Sequence, residues 1–222
     1  MGHQDRRLLM QRSRPASGFT MIEAMVTLAI FAILVAIGIP TMSAWIRNNK
    51  VRSVSDALQT GLRLAQTESL RRSRQVVFAL TNSTTPTAIP LPAVADGTSW
   101  AIWTIPSMTD GSETPQFIQS GILSNASVNV LVNSNGTAAL CFNSVGRLTN
   151  NASANLALVT GGAITCAQPT TGLTPGSPPA QIFNISIPGG DRPLQVTLGL
   201  GGQVHMCDPG VPLSDSHPEG CQ

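Results

Sequence analysis

The stretch GFTMIEAMVTLAIFAILVAIGIP, residues 18–40, decides the fold of this chain of 222 residues. From Ala24 to Ile39 the only polar side chain is that of Thr27. Counted from Phe19, the apolar run has about the 20 residues that a helix needs to cross the hydrocarbon core of a bilayer. The sequence therefore predicts one membrane-spanning helix, with a single carboxylate, that of Glu23, near its start.

The order of features around this run differs from that of a secretory signal. In such a signal the small residue at the cleavage point follows the apolar segment, which is then lost. Here the small residue, Gly18, comes before the apolar segment, and four arginines precede it: Arg6, Arg7, Arg12 and Arg14. This order is therefore not that of an ordinary secretory signal.

The carboxylate of Glu23 needs an explanation, because a charged group inside a membrane is costly and usually has a partner. Glu23 and the residues around it match a pattern that is known from other proteins. The pattern Gly18-Phe19-Thr20-x-x-Glu23, followed by the apolar run and Pro40, resembles the prepilin signature of type IV pilins and type II secretion pseudopilins. A simpler alternative is that Glu23 only extends its carboxylate to the headgroups.

This resemblance implies processing and assembly. A prepilin peptidase would cleave between Gly18 and Phe19, and Phe19 would be N-methylated. The helix would stay in the membrane as a single-pass anchor and later enter the filament core. Glu23 would pair with the N-terminal amine of a neighbouring subunit and set the register of assembly.

Beyond the apolar run, residues 41–74 are predicted to continue as an amphipathic helix. Pro40 is expected to kink or loosen the helix without ending it. Apolar residues recur at three- and four-residue steps, as on a helix that packs on something: Val51, Val54, Leu58, Leu62 and Ala65. The predicted organisation is a leader at 1–18, an apolar helix at 19–40, this amphipathic helix at 41–74 and a head at 75–222.

The head is predicted to be rich in strands. Residues 76–80 and 100–103 form two of them. Residues 128–132 and 137–142 would form a hairpin around 133–136, with positive φ at Gly136. A second hairpin is predicted from 194–200 and 203–207, preceded by a strand that holds Ile185 and Ile187, and residues 166–180 are predicted to be a loop. Together these elements predict an α+β fold, in which a long helix packs on a head of antiparallel strands.

Four cysteines lie in the predicted head, and two disulfides among them have three possible pairings. Proximity favours Cys141 with Cys166 and Cys207 with Cys221. Reduced thiols are the alternative. Zinc bound by His205, Cys207, His217 and Cys221 would need a spacing that matches no usual finger. We therefore expect neither a metal nor another cofactor.

Three further motifs resemble the FimT/GspH minor pilin family. They are Leu64-Ala65-x-x-Glu68-Ser69-x-Arg71-Arg72, Cys141-Phe142-Asn143-x-x-Gly146-Arg147 and Val204-x-x-Cys207-Asp208-Pro209. The resemblance implies a minor pilin that acts in the assembly-initiating or tip complex of a type IV pilus. Its partners would be other major and minor pilins, the prepilin peptidase and the inner-membrane assembly platform, with the head in the periplasm.

Two other functions stay open at this point. One is a type II secretion pseudopilin of the H type, which uses the same anchor and head. The other is a DNA-binding minor pilin for DNA uptake, with Arg71, Arg72, Arg74 and Arg147 as the candidate contacts. Residues 201–205 read GGQVH and lack the Gly-Arg-x-Arg element of such receptors. Beyond Arg74 the sequence has seven acidic residues and only two basic ones. Because phosphate contacts need basic residues, nucleic acid is not the expected partner. With no Ser/His/Asp or phosphate-loop pattern, an enzyme is not expected either.

Overall fold

The computed structural model describes residues 18–83, 85–87, 91–106, 113–123, 129–152, 165–166, 168–170, 172 and 178–221. Two compact units follow one another along the chain, Met1–Met42 and Ser43–Gln222. The four predicted domain boundaries stay predictions.

One helix, α1, covers Met21–Arg72 and belongs to both units. The helix assignment passes through position 40 without a break. Its N-terminal part includes an 18-residue window with a mean hydropathy of 2.5, none of which is buried. By length and composition this part of α1 is able to cross a membrane.

In the second unit, the strands come in two five-stranded sheets and a short pair. The strands are β1 (Val76–Thr81), β2 (Ser99–Thr104), β3 (Phe117–Ile122), β4 (Leu131–Asn133), β5 (Ala139–Phe142), β6 (Leu148–Thr149), β7 (Asn151–Ala152), β8 (Thr165–Cys166), β9 (Ala180–Ser186), β10 (Leu194–Gly199), β11 (Val204–Pro212) and β12 (Gly220–Cys221). The first sheet has the order β3-β2-β1-β5-β6, the second has the order β12-β11-β10-β9-β4, and β7 pairs with β8. All the pairings between these strands are antiparallel except that of β11 with β12.

The C-terminal part of α1 and both large sheets share one hydrophobic core. The predicted apolar face of the helix is fully inside it: Val51, Val54, Leu58, Leu62 and Ala65. Side chains from both sheets meet this face, among them Phe78 and Trp100 from the first sheet and Phe183 from the second. Phe78 stacks on Trp100 with ring centroids 5.8 Å apart. The amphipathic pattern is thereby confirmed as the face that packs on the head.

The first sheet has a second apolar layer on its other face. Val77, Ala101, Trp103 and Cys141 form this layer with residues from the connecting segments, such as Leu91. Every residue of β1 is therefore buried. A strand covered on both faces has no need of alternating polar residues, which explains the continuous apolar run VVFAL.

The first predicted hairpin is wrong in its pairing. The turn itself is present, with φ of 53° at Asn135 and 81° at Gly136. However, β4 before the turn pairs with β9 in the second sheet, whereas β5 after it pairs with β1 and β6 in the first. The turn therefore carries the chain from one sheet to the other, because the alternating pattern specifies which face is buried but not which strand is the neighbour.

The second predicted hairpin is confirmed. Leu198 of β10 faces Val204 of β11, and Gly202 in the turn between them has a φ of 88°. The preceding strand, β9, includes Ile185 but ends one residue before Ile187. Of the predicted loop 166–180, positions 167, 171 and 173–177 lie outside the described residues, and the loop prediction for them stays a prediction.

Candidate functional site

The start of α1 is built from three neighbouring residues. Thr20 precedes the helix, and its Oγ1 accepts a 3.3 Å hydrogen bond from the backbone N–H of Glu23. Its carbonyl oxygen accepts a second bond, of 3.1 Å, from the N–H of Ala24. Thr20-x-x-Glu23 therefore has the residues of a capping box, a helix-start signal that the sequence prediction missed.

Glu23 and Phe19 both present their side chains to the outside of the first unit. Phe19 is 77% exposed and Glu23 is exposed. The Glu23 carboxylate lies in the first turn, where the positive end of the helix dipole favours a negative charge. An exposed acid at this place is available to a partner from outside the chain.

The rest of the first unit presents an apolar surface. Within the described residues, its exposed large hydrophobic side chains are Phe19, Met21, Ile22, Met25, Val26, Leu28, Ile30, Phe31, Ile33, Leu34, Val35, Ile37, Ile39 and Met42. A contiguous apolar surface of this extent is typical of a segment that contacts lipid or other helices rather than water. The N-terminal part of α1 thus has the surface of a membrane or bundle helix.

Three of the four arginines predicted as DNA contacts are paired with carboxylates. Glu68 accepts hydrogen bonds from Nη2 of Arg71 and Nε of Arg72, each at 2.7 Å. Arg74 Nη2 lies 2.9 Å from Oε1 of Glu113. Hydrogen bonds from Arg71 and Arg72 lower the pKa of Glu68 to about 2. These carboxylates partly neutralise the three arginines, which weakens their attraction for a phosphate.

The fourth arginine, Arg147, is exposed on the turn between β5 and β6. Its backbone N–H donates to Oδ1 of Asn143 at 3.0 Å. The same turn lies against α1, because Nε2 of Gln66 donates to the carbonyl oxygen of Gly146 at 3.1 Å. The motif around Cys141 thus positions a turn on the helix, and its role as a DNA contact stays a hypothesis.

Both disulfides that proximity favours are present. Cys141 and Cys166 are joined with their Cα atoms 5.5 Å apart, and Cys207 and Cys221 with theirs 5.0 Å apart. The first bond is buried in the second apolar layer, and the second joins β11 to β12. The zinc alternative is wrong, because the disulfide leaves no thiolate on Cys207 or Cys221.

Metal-binding clusters are absent from the residues that the structure describes: no group of three or more His, Cys, Asp and Glu side chains lies together there. His205 is exposed on β11. His217 pairs instead with Glu219, with 3.2 Å between Nδ1 and Oε1. Among the described residues, neither histidine is accompanied by the ligand set of a metal site.

Comparison with known families identifies both parts of the chain. The prokaryotic N-terminal methylation motif matches residues 13–39, and the family described as Type II transport protein GspH matches residues 54–202. The second match covers about two thirds of the 222 residues. The chain therefore belongs to the GspH family of minor pilins and pseudopilins, which are structural subunits, and its methylation motif and apolar helix make it a membrane-anchored member.

Solved structures of two pilin-like proteins are similar to the chain. The type IV minor pilin FimU of Pseudomonas aeruginosa is 12% identical, with a TM-score of 0.46 over 77% of this chain and 98% of that one. The minor pseudopilin EpsH from the type 2 secretion system of Vibrio cholerae is 12% identical, with a TM-score of 0.43 over 73% of this chain and 99% of that one. No curated protein matches the chain in sequence. The family assignment rests on the two family matches.

Proposed function

We propose that this chain is a minor pilin of a type IV pilus and that it acts in the complex that initiates assembly or lies at the tip. The observation that supports this most is the change of exposure along α1. Apart from Glu23 and Thr27, residues 21–39 are apolar, and almost all of them are exposed, whereas Val51, Val54, Leu58 and Leu62 are buried in the head. One helix thus supplies a surface for other helices and a support for a folded head.

Processing at Gly18 is the first step of this proposal. A Cβ atom added at Gly18 would meet no described atom within 4 Å, so packing within the described residues does not require a glycine there. Recognition by a prepilin peptidase would explain why this position is a glycine. Cleavage before Phe19 then creates a new α-amino group four residues from Glu23, and this amine is the one that is methylated.

Glu23 is the residue that directs assembly in this proposal. Lipid tails are as apolar as helix side chains, so moving α1 from the bilayer into a bundle changes little hydrophobic free energy. An intramembrane carboxylate, in contrast, gains a partner when it meets the amine of a neighbouring subunit. Pairing of Glu23 with that amine would select one axial register out of many that are equally apolar.

A type II secretion pseudopilin of the H type is the alternative. It would use the same anchor, the same carboxylate and the same head. The DNA-binding function is not proposed, because Arg71, Arg72 and Arg74 are held by Glu68 and Glu113.

The deciding experiment is a deletion of the gene in its native host, with surface pili, twitching, the secreted proteome and DNA uptake measured together. Loss of pili with normal secretion is the expected result. Loss of secretion with intact pili would instead assign the chain to the secretion system. A loss of DNA uptake alone would overturn the pilus-assembly role and support the DNA-binding alternative.

A further inference from the structure

A groove with a volume of about 340 Å³ lies in the second unit beside the helix residues Arg47 and Lys50. We call it the basic groove. Its lining residues are Arg47, Lys50, Asn129, Leu131, Ile187 and Pro188. It therefore combines two cationic side chains with an apolar wall, and none of its described lining residues is acidic.

The basic groove lies beside a stretch of α1 that is rich in cations. Residues 41–55 include Arg47, Lys50 and Arg52 and no acidic residue. Within the described part of the chain, neither Arg47 nor Lys50 forms an ion pair with a carboxylate. This distinguishes them from Arg71 and Arg72, which share one glutamate. The basic groove is thus complementary to an anion.

Arg47 also has a buried donor without a partner. Its Nε is shielded from solvent, and it has no hydrogen-bond acceptor among the described residues. A buried N–H that lacks an acceptor is costly, more so on a charged group. A change of rotamer that turned the Arg47 guanidinium toward an anionic oxygen in the groove would give this nitrogen the acceptor that it lacks.

The wall of the groove is apolar and partly open. Leu131 is 58% exposed even though its neighbour Val132 is buried in the main core. Pro188 is exposed, and Ile187 is half-buried against the core. An inorganic anion would leave this wall in water, whereas a ligand with an anionic head and an apolar body would cover it.

The position of the two basic residues along α1 indicates which ligand with an anionic head and an apolar body binds here. Arg47 follows Ile39, the last residue of the apolar run, by little more than two turns of α1. Trp45, which is 64% exposed, precedes it. An exposed tryptophan and basic side chains just beyond an apolar helix are typical of residues that contact lipid headgroups.

We propose that the basic groove binds the headgroup of an anionic phospholipid of the bilayer that holds the anchor. The phosphate would lie on Arg47 and Lys50, and the glycerol and first acyl carbons on Leu131, Ile187 and Pro188. This proposal rests on the proposed function, because a bilayer lipid reaches the groove only if α1 is the anchor. The lipid would hold the head at the membrane until the subunit is extracted into a filament.

Native mass spectrometry of the full processed chain in detergent tests the proposal, with phosphatidylglycerol and phosphatidylcholine of the same acyl chains as probes. We expect preferential retention of phosphatidylglycerol. Arg47→Gln and Lys50→Gln should each weaken this retention about fivefold, the factor that one basic side chain contributes at an anionic surface. Arg47→Lys should retain most of it, and the control Arg147→Gln, which removes an exposed arginine elsewhere in the head, should leave it unchanged.

Equal retention of the two lipids would overturn the proposal, and so would an equal loss in the Arg147→Gln control. Photoactivatable phosphatidylglycerol in cells is the second measurement, which does not depend on any variant folding. Lipid crosslinks at the residues of the basic groove support the proposal, whereas lipid crosslinks confined to the apolar part of α1 overturn it. Carbonate extraction separates the two hypotheses: a chain released from membranes contradicts the anchor itself, whereas an integral chain without lipid in the groove contradicts only this inference.

Discussion

Glu68 and Arg72 lie one helical turn apart, and Oε2 of Glu68 accepts a 2.7 Å hydrogen bond from Nε of Arg72. Arg71 binds the same carboxylate through Nε and Nη2, at 3.0 and 2.7 Å. Nη1 of Arg72 also approaches Oε1 of Gln116, just before β3, at 3.5 Å. The cluster therefore joins the end of α1 to the edge strand of the first sheet.

Glu68→Gln is expected to destabilise the head at neutral pH by at most about 1.5 to 3 kcal/mol, the range for hydrogen bonds to charged groups, because the partner Arg71 is largely exposed. The pKa of Glu68 is lowered to about 2 in the folded state, so its stabilising effect is present above pH 4.5 and is lost as the pH falls toward 2. Urea unfolding of the full chain in detergent between pH 7 and pH 2 measures this. A difference from wild type that stays constant over that range would contradict the assignment, and Asp56→Asn, an exposed acid of the same helix, is the control.

The two disulfides are expected to differ in their contribution to stability. Replacing Cys207 and Cys221 with alanine opens a loop of 14 residues and should cost about 3 kcal/mol. Replacing Cys141 and Cys166, whose separation is 25 residues, should cost more, because these side chains also pack in the second apolar layer. Thermal unfolding of the two double variants gives the order, and the reverse order would show that packing around Cys141 contributes little.

Glu23→Ala is expected to leave membrane insertion intact and to reduce incorporation into filaments. The substitution removes the one carboxylate of the apolar segment, which makes insertion easier and register selection worse. The amount of the protein in sheared filament fractions, relative to the membrane fraction, is the readout. Asp56→Asn is the control, because it also removes an acidic side chain but lies outside the apolar segment. Equal incorporation of Glu23→Ala and wild type would rule out the docking role.

Gly18→Leu is expected to leave an unprocessed precursor. The larger side chain would block access to the peptide bond before Phe19, at a position where an added Cβ meets no described atom within 4 Å. Gel mobility and N-terminal sequencing distinguish precursor from mature protein. Gly38→Ala, at another glycine with no described neighbour within 4 Å of an added Cβ, should be processed normally. Normal processing of both variants would refute the cleavage assignment.

Local patterns predicted the helices and several strands well, because they depend on periodicity. The steps of three and four residues from Val51 to Ala65 identified the buried face of α1, and the turn at Gly136 was identified by its need for positive φ. Strand partners were predicted less well. The alternation around that turn is equally compatible with a hairpin and with a change of sheet, and long-range packing decides between them.

In the candidate site, too, local contacts were easier to predict from the sequence than long-range ones. The arginines at positions 71 and 72 were considered as DNA contacts, although Glu68 lies three and four residues before them, a spacing that predicts ion pairs on a helix. The basic groove could not have been predicted, since it brings together Lys50, Asn129 and Pro188 from distant parts of the sequence. The edge strand β3 was missed because its sequence, FIQSGI, has a glycine and no clear alternation.

The central position of β1 has a consequence for the order of folding. Its partner β5 begins more than fifty residues further along the chain, and the second sheet is completed only by β12 at residues 220–221. Pairings between such distant segments form slowly, because the loop between them must first be closed. The helix of the anchor needs only local contacts and can form first. With the membrane anchor of the proposed function, we therefore expect a new chain to be tethered to the bilayer while its head is still unfolded, so that folding takes place at the membrane surface.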